Sequence, residues 1–132
     1  MDFVDFNLAK KLKEKGFTCE YPIAMYNERG IFHELYTSVG NMQYYDYDDF
    51  DEHDYIAPTI SQVLKWLREE KNIYIEIFLY NGKYSPFIKS ITQICKDDYF
   101  HKCLNEDAAD EEYDTYNQAA LAGIEYVLDY LS

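Results

Sequence analysis

The stretch from Tyr44 to Tyr55, Y-Y-D-Y-D-D-F-D-E-H-D-Y, gathers the residues of this sequence best equipped for chemistry. Asp46, Asp48, Asp49, Asp51 and Asp54 offer hard oxygen donors and His53 adds an imidazole, a set able to hold a divalent ion if the fold brings His33 or His101 to it. The spacing is not that of a calcium loop. Counted from Asp46, the sixth position is Asp51 where that loop requires glycine, and counted from Asp49 no glycine falls there either. The same residues support a second reading as a recognition surface. Carboxylates interleaved with Tyr44, Tyr45, Tyr47, Phe50 and Tyr55 steer encounter with a cationic groove and provide aromatic anchors once it is reached.

A second acidic stretch runs from Asp97 to Asp114. Residues 45 to 55 hold six acids and no base, and residues 97 to 114 hold eight acids against Lys102. The rest of the chain has eleven acids and eleven bases, so the two stretches carry the whole net charge of −13. Plain solvation is the simplest use of such charge, since it adds solubility at the cost of self-repulsion. Recognition of a basic protein is the sharper one. On that reading the partner-binding residues are Tyr44, Tyr45, Asp46, Tyr47, Asp48, Asp49, Phe50, Asp51, Glu52 and Asp54 in the first stretch, with Asp107, Asp110, Glu111 and Glu112 in the second. Proteins that handle nucleic acid own grooves built for phosphate, and an acidic protein can occupy them; direct binding to nucleic acid is not expected of this charge.

Enzymatic motifs are missing. H-E-x-x-H, H-x-E with P-C-x-x-C, G-x-S-x-G and the phosphate-binding Walker loop do not occur. Glu69-Glu70-Lys71 has the E-x-K spacing of some nucleases, without an upstream acid on a strand. The expectation is therefore a non-enzymatic acidic interaction protein with no cofactor, no metal ion and no catalytic residue. The alternative is a divalent-metal-binding protein or hydrolase using the Asp/His cluster at 46–54.

The elements that would position these stretches read as follows. Asp5 or Asn7 can cap a first helix containing Leu8, Ala9 and Leu12, which Gly16 stops. Its Lys10, Lys11, Lys13 and Lys15 read as a solvated face near a favourable dipole end rather than as a nucleic-acid site. Tyr21 to Asn27 and Ile31 to Ser38 read as a hairpin turned at Gly30, and Tyr44 to Tyr55 as an irregular segment. Thr59 and Gln62 form a capping box for a helix running to Glu70. Ile60, Val63, Leu64 and Leu67 make its apolar stripe, with Trp66 at the stripe's edge. Ile73 to Tyr80 alternates aliphatic and aromatic positions, and Asn81-Gly82 turns it back into Lys83 to Ile94, where Pro86 implies an edge position or a bulge. Thr115 and Gln118 repeat the capping pattern before a last helix whose stripe is Ala120, Ile124, Val127, Leu128 and Leu131. The order α-β-β-α-β-β-α predicts an α+β fold, one antiparallel sheet of two hairpins covered by helices, in a single domain spanning 1–132.

Composition agrees with a folded chain. Hydrophobic residues make up 48% and aromatics 18% of 132 residues, fifteen of them tyrosine. Tyrosine suits half-buried sheet faces and binding surfaces alike. The N-terminus lacks a basic and then apolar leader, and no apolar run is long enough for a bilayer, so a soluble, cytoplasmic protein without a membrane partner is expected. Cys19, Cys95 and Cys103 are odd in number and never spaced C-x-x-C, which predicts reduced, mostly buried thiols.

The pairing of A-P-T-x-S-Q-x-x-x-W-x-R-E at Ala57 to Glu69 with Y-D-T-Y-x-Q-A-x-L-A at Tyr113 to Ala122 resembles small uncharacterised proteins encoded by phages, prophages and Bacteroidetes-type bacteria. These motifs are capping and packing residues, so the resemblance implies a fold and a genomic setting and carries over no catalytic residue. The acidic insert at Tyr44 to Asp54 has no counterpart in that pattern. A phage or prophage setting implies a host protein as the basic partner and an anti-defence inhibitor, a nucleic-acid mimic, as the role.

Overall fold

Asp5 starts the first helix by accepting a hydrogen bond from the Leu8 amide at 2.8 Å. In the computed structural model, which describes residues 2–19, 22–34, 53–95, 98–103 and 111–131, this helix is α1, Phe6–Glu14, and it buries Leu8, Ala9 and Leu12 as their spacing requires. The chain then forms β1 (Ala24–Tyr26), β2 (Phe32–Glu34), β3 (Tyr55–Ile56), α2 (Ile60–Lys71), β4 (Ile73–Tyr80), β5 (Lys83–Cys95), β6 (Asp98–Cys103) and α3 (Tyr116–Tyr130). The architecture is mixed α+β with antiparallel sheets. It divides into two compact units, Met1–Gln62 and Val63–Ser132, and α2 runs across the boundary.

Two features depart from the expected order. Each hairpin gains a third strand, and the hairpins belong to two sheets, β2-β1-β3 and β4-β5-β6, rather than to one. The turn signals identify hairpins but say nothing of which outer edge meets which. Here Tyr55, read as the end of an irregular segment, pairs together with Ile56 against Tyr26 and Met25, while Asp98–Cys103, read as part of an acidic loop, pairs with the far half of β5.

In the first unit, Gly30 closes the β1–β2 turn at φ +80° and the Asn27 side chain accepts from the Arg29 and Ile31 amides. The Gly30 position also faces the Phe6 ring, which a Cβ would meet at 2.7 Å. The chain's start joins in: the Val4 amide donates to the Pro58 carbonyl and the Ile60 amide to that of Asp2, both at 3.0 Å. Val4, Leu8, Ala9, Leu12, Phe17, Ala24, Ile56 and Ala57 are buried in this unit ahead of α2, as are Pro22 and Pro58.

Both capping boxes form. Thr59 and Gln62 exchange hydrogen bonds of 2.9 and 3.2 Å at the start of α2, and Thr115 and Gln118 do the same at 3.2 and 3.1 Å before α3. On α2 the buried set is Ile60, Val63, Trp66 and Leu67, so Trp66 belongs to the buried face and Leu64 is only half-buried.

In the second unit α3 packs on β5 and β4. Gly123 lets the helix approach closely, since a Cβ there would lie 3.0 Å from Ile75 and 3.3 Å from Pro86. Pro86 sits within β5, the central strand, with no bulge beside it; the register shift lies further on, between Gln93 and Cys95. The position is tolerated for a local reason. Pro86 pairs with Ile77 where the β5 backbone turns away from β4, and β6 joins β5 only from Lys89 onward, so the missing N–H falls where no described strand needs it.

Candidate functional site

Of the expected partner-binding residues, Asp54, Glu111 and Glu112 are among those described. Tyr44, Tyr45, Asp46, Tyr47, Asp48, Asp49, Phe50, Asp51, Glu52, Asp107 and Asp110 lie outside the described residues.

Where the first acidic stretch ends, its backbone is tied to α1. The Lys13 ammonium donates to the Asp54 carbonyl at 2.9 Å and lies 4.8 Å from the centre of the Tyr55 ring. Tyr55 also packs edge-on against Phe6 at 5.5 Å, so it serves β3 and α1 instead of standing out as an anchor. Lys10 lies 4.6 Å over the Phe6 ring. The lysine face of α1 is thus partly used to hold aromatic rings, beyond the solvated role its spacing suggested. His53 and Asp54 line a cleft of about 330 Å³ with Asn27, Glu28 and Arg29. A guanidinium in that wall opposes a divalent ion. Among the described residues no three His, Cys, Asp or Glu side chains gather as ligands for one. His33 stands exposed on β2, paired with Met25. Cys19 and Cys103 are half-buried, and Gln62 Nε2 donates to the Cys19 sulfur at 3.5 Å.

The second stretch ends in a better-defined arrangement. Tyr113 bridges to Tyr84 of β5 through two backbone hydrogen bonds of 2.9 and 2.8 Å, which fixes the chain just before α3. That anchorage presents Glu111, Glu112 and Asp114 to solvent. The Tyr113 hydroxyl donates to the Glu111 carboxylate at 2.9 Å. Burial, then the Glu111 hydrogen bond and the charges of Glu111 and Glu125, raise Tyr113 above the ordinary phenol value. Asp114 accepts from Lys83 at the start of β5; this hydrogen bond and the Asp114 charge, helped by Glu112, raise the lysine above its usual value. Tyr84 and Tyr116 meet edge-to-face with centroids 6.3 Å apart.

The result is a surface on which Glu111, Glu112, Asp114 and Glu125 share a neighbourhood with Tyr84, Tyr113 and Tyr116, with Lys83 as a compensating base. Glu125, Tyr84 and Tyr116 were not among the residues expected there. A signal existed for Glu125 alone: no lysine or arginine occurs from Glu111 to Ser132, although five acids do. Such an arrangement presents carboxylates beside phenol rings, groups whose negative charge and ring faces attract cations. No family model matches the chain, and no curated protein or solved structure matches it either.

Proposed function

We propose that this is a non-enzymatic acidic interaction protein that binds a basic site on another protein, one that handles nucleic acid. The observation that carries the reading is the placement of the whole −13 charge in two stretches of an otherwise neutral chain. The Tyr113 neighbourhood supports it, because there the acids are interleaved with aromatic rings, as an anchor for Arg or Lys requires. The likeness of the capping motifs to phage and prophage proteins favours a host protein as partner, an anti-defence inhibitor as role and the bacterial cytoplasm as the place of action.

The test is capture from a bacterial host lysate at low and high salt, followed by association kinetics with the captured protein. Replacing Asp48, Asp49, Asp51 and Glu52 with Asn or Gln should leave folding intact and slow association. The wild-type on-rate should fall steeply as salt rises. Tyr44, Tyr45 and Tyr47 to Ala should act mainly on dissociation. Binding that survives neutralising both acidic stretches overturns the proposal. A rise in melting temperature with calcium, magnesium, manganese or zinc, lost on changing one or two aspartates, replaces it with the metal-dependent alternative.

A further inference from the structure

We infer that β4 is an interface strand whose partner is β4 of a second copy of this chain, paired antiparallel about a two-fold axis at Ile77. The backbone sets this up. Asn81 and Gly82 turn at φ +52° and +76°, a two-residue hairpin that makes Tyr80 and Lys83 a hydrogen-bonded pair. Pairing then alternates without a slip to Ile73, and the Ile91 amide bonding to the Asn72 carbonyl at 3.0 Å continues the same alternation. Tyr74, Glu76, Phe78 and Tyr80 therefore direct their N–H and C=O groups to β5. Ile75, Ile77 and Leu79 direct theirs outward, where no strand among the described residues receives them.

Exposed edges are usually blunted by lysine, proline or a bulge. β4 has none of these, and its one charged residue is Glu76. Its far end is also apolar and open, with Phe78, Leu79 and Tyr80 at 51%, 62% and 74% exposure. A two-fold interface must match itself. Tyr74-Ile75-Glu76-Ile77-Phe78-Leu79-Tyr80 meets that demand, because about Ile77 it reads nearly alike in both directions. Ile77 would face its own copy, Ile75 the partner's Leu79 and Tyr74 the partner's Tyr80, pairs of the kind that stabilise sheets. Glu76, which Lys89 holds at 3.0 Å, would face the partner's Phe78. An axis moved to Glu76 would set two carboxylates opposite each other, which selects the Ile77 register. Each copy carries −13, so repulsion opposes association and salt, by screening it, should promote it. That dependence is opposite in sign to the one expected for a basic partner, so the two ideas fail separately.

Sedimentation of the full chain over a range of concentrations and salt tests the pairing. The expected result is a species of twice 15.8 kDa whose share rises with salt, and its loss in Leu79→Lys and Phe78→Lys. Mild oxidation of Ile77→Cys should trap a covalent dimer, since the two Cα atoms of such a pair stand about 5.5 Å apart. Tyr80→Cys should yield no more dimer than wild type. Its two copies would stand six residues out of register, about 20 Å apart at ~3.4 Å per residue. If Leu79→Lys loses its circular dichroism, the cysteine pair still decides. A monomer under every condition overturns the inference, as does a dimer that Leu79→Lys leaves intact and Ile77→Cys fails to trap.

Discussion

Tyr26 shows how one side chain joins the start of the chain to its first sheet. Its hydroxyl donates to the Val4 carbonyl at 2.6 Å, while its ring meets Phe6 and Phe32 at 5.6 Å. Burial, and secondarily the charge of Asp5, raise its pKa above the ordinary phenol value near 10. A raised folded value means that the stabilisation is complete below the unfolded pKa and is lost as pH climbs through the folded one. Tyr26→Phe should cost about 1 kcal/mol at neutral pH and make the fall of melting temperature above about pH 10 shallower than in wild type. Thermal melts from neutral to alkaline pH measure both, and an unchanged alkaline slope would place the titrating group elsewhere. Gly30 and Gly82 give a second comparison at this scale. Both have positive φ, but only at Gly30 does a ring stand where Cβ would go, whereas at Gly82 nothing lies within 4 Å. Gly82→Ala should cost about 1 kcal/mol from backbone conformation, and Gly30→Ala about 1 to 3 kcal/mol more because Phe6 must move. Equal losses in denaturant titrations would mean that Phe6 yields freely.

Helix α2 was legible in its caps and less so in its face. The capping box at Thr59 and Gln62 follows from residue chemistry alone, because a hydroxyl and a carboxamide three residues apart reach each other's backbone wherever the helix lies. Which side is buried depends on the neighbours. Val63 and Leu67 are fully buried and Trp66 is 7% exposed, while Leu64 is half-covered. Leu67→Ala should therefore cost roughly 2 to 5 kcal/mol, and Leu64→Ala clearly less. Lys65→Ala, fully on the exposed side, should stay within about 0.5 kcal/mol. Equilibrium unfolding of the three variants tests the order, and a loss at Leu64 equal to that at Leu67 would show the buried face rotated about the helix axis, away from Trp66 and toward Leu64.

At the scale of the whole molecule, charge dominates. With −13 on 132 residues, the folded state carries an electrostatic penalty that mobile ions relieve. Melting temperature should rise as sodium chloride goes from about 0.01 to about 0.15 M, over which the screening length falls from ~30 to ~8 Å. Neutralising Asp48, Asp49, Asp51 and Glu52 together should remove part of that dependence. A flat salt response in both proteins would mean that the carboxylates are already compensated within the fold. The same experiment separates roles, because screening that stabilises the fold and the β4 pairing weakens capture of a basic partner.

The sequence by itself determined the local features: both capping boxes, the start of α1 to within Asp5 or Asn7, the Gly30 and Asn81-Gly82 turns and the mixed α+β class. Each depends on residues a few positions apart, where backbone geometry leaves little choice. The acidic character of a candidate surface was equally plain, since charge is counted without coordinates. Tertiary structure decided what distance along the chain conceals. It placed β3 against β1 and β6 against β5, divided the strands between two sheets and gave Pro86 a harmless place in a central strand. It also brought Glu125 of α3 into the surroundings of Tyr113, and turned Tyr55 into a packing residue. Edge pairing and burial are settled by competition among distant segments for the same backbone groups and the same apolar area, and no window of sequence contains all the competitors.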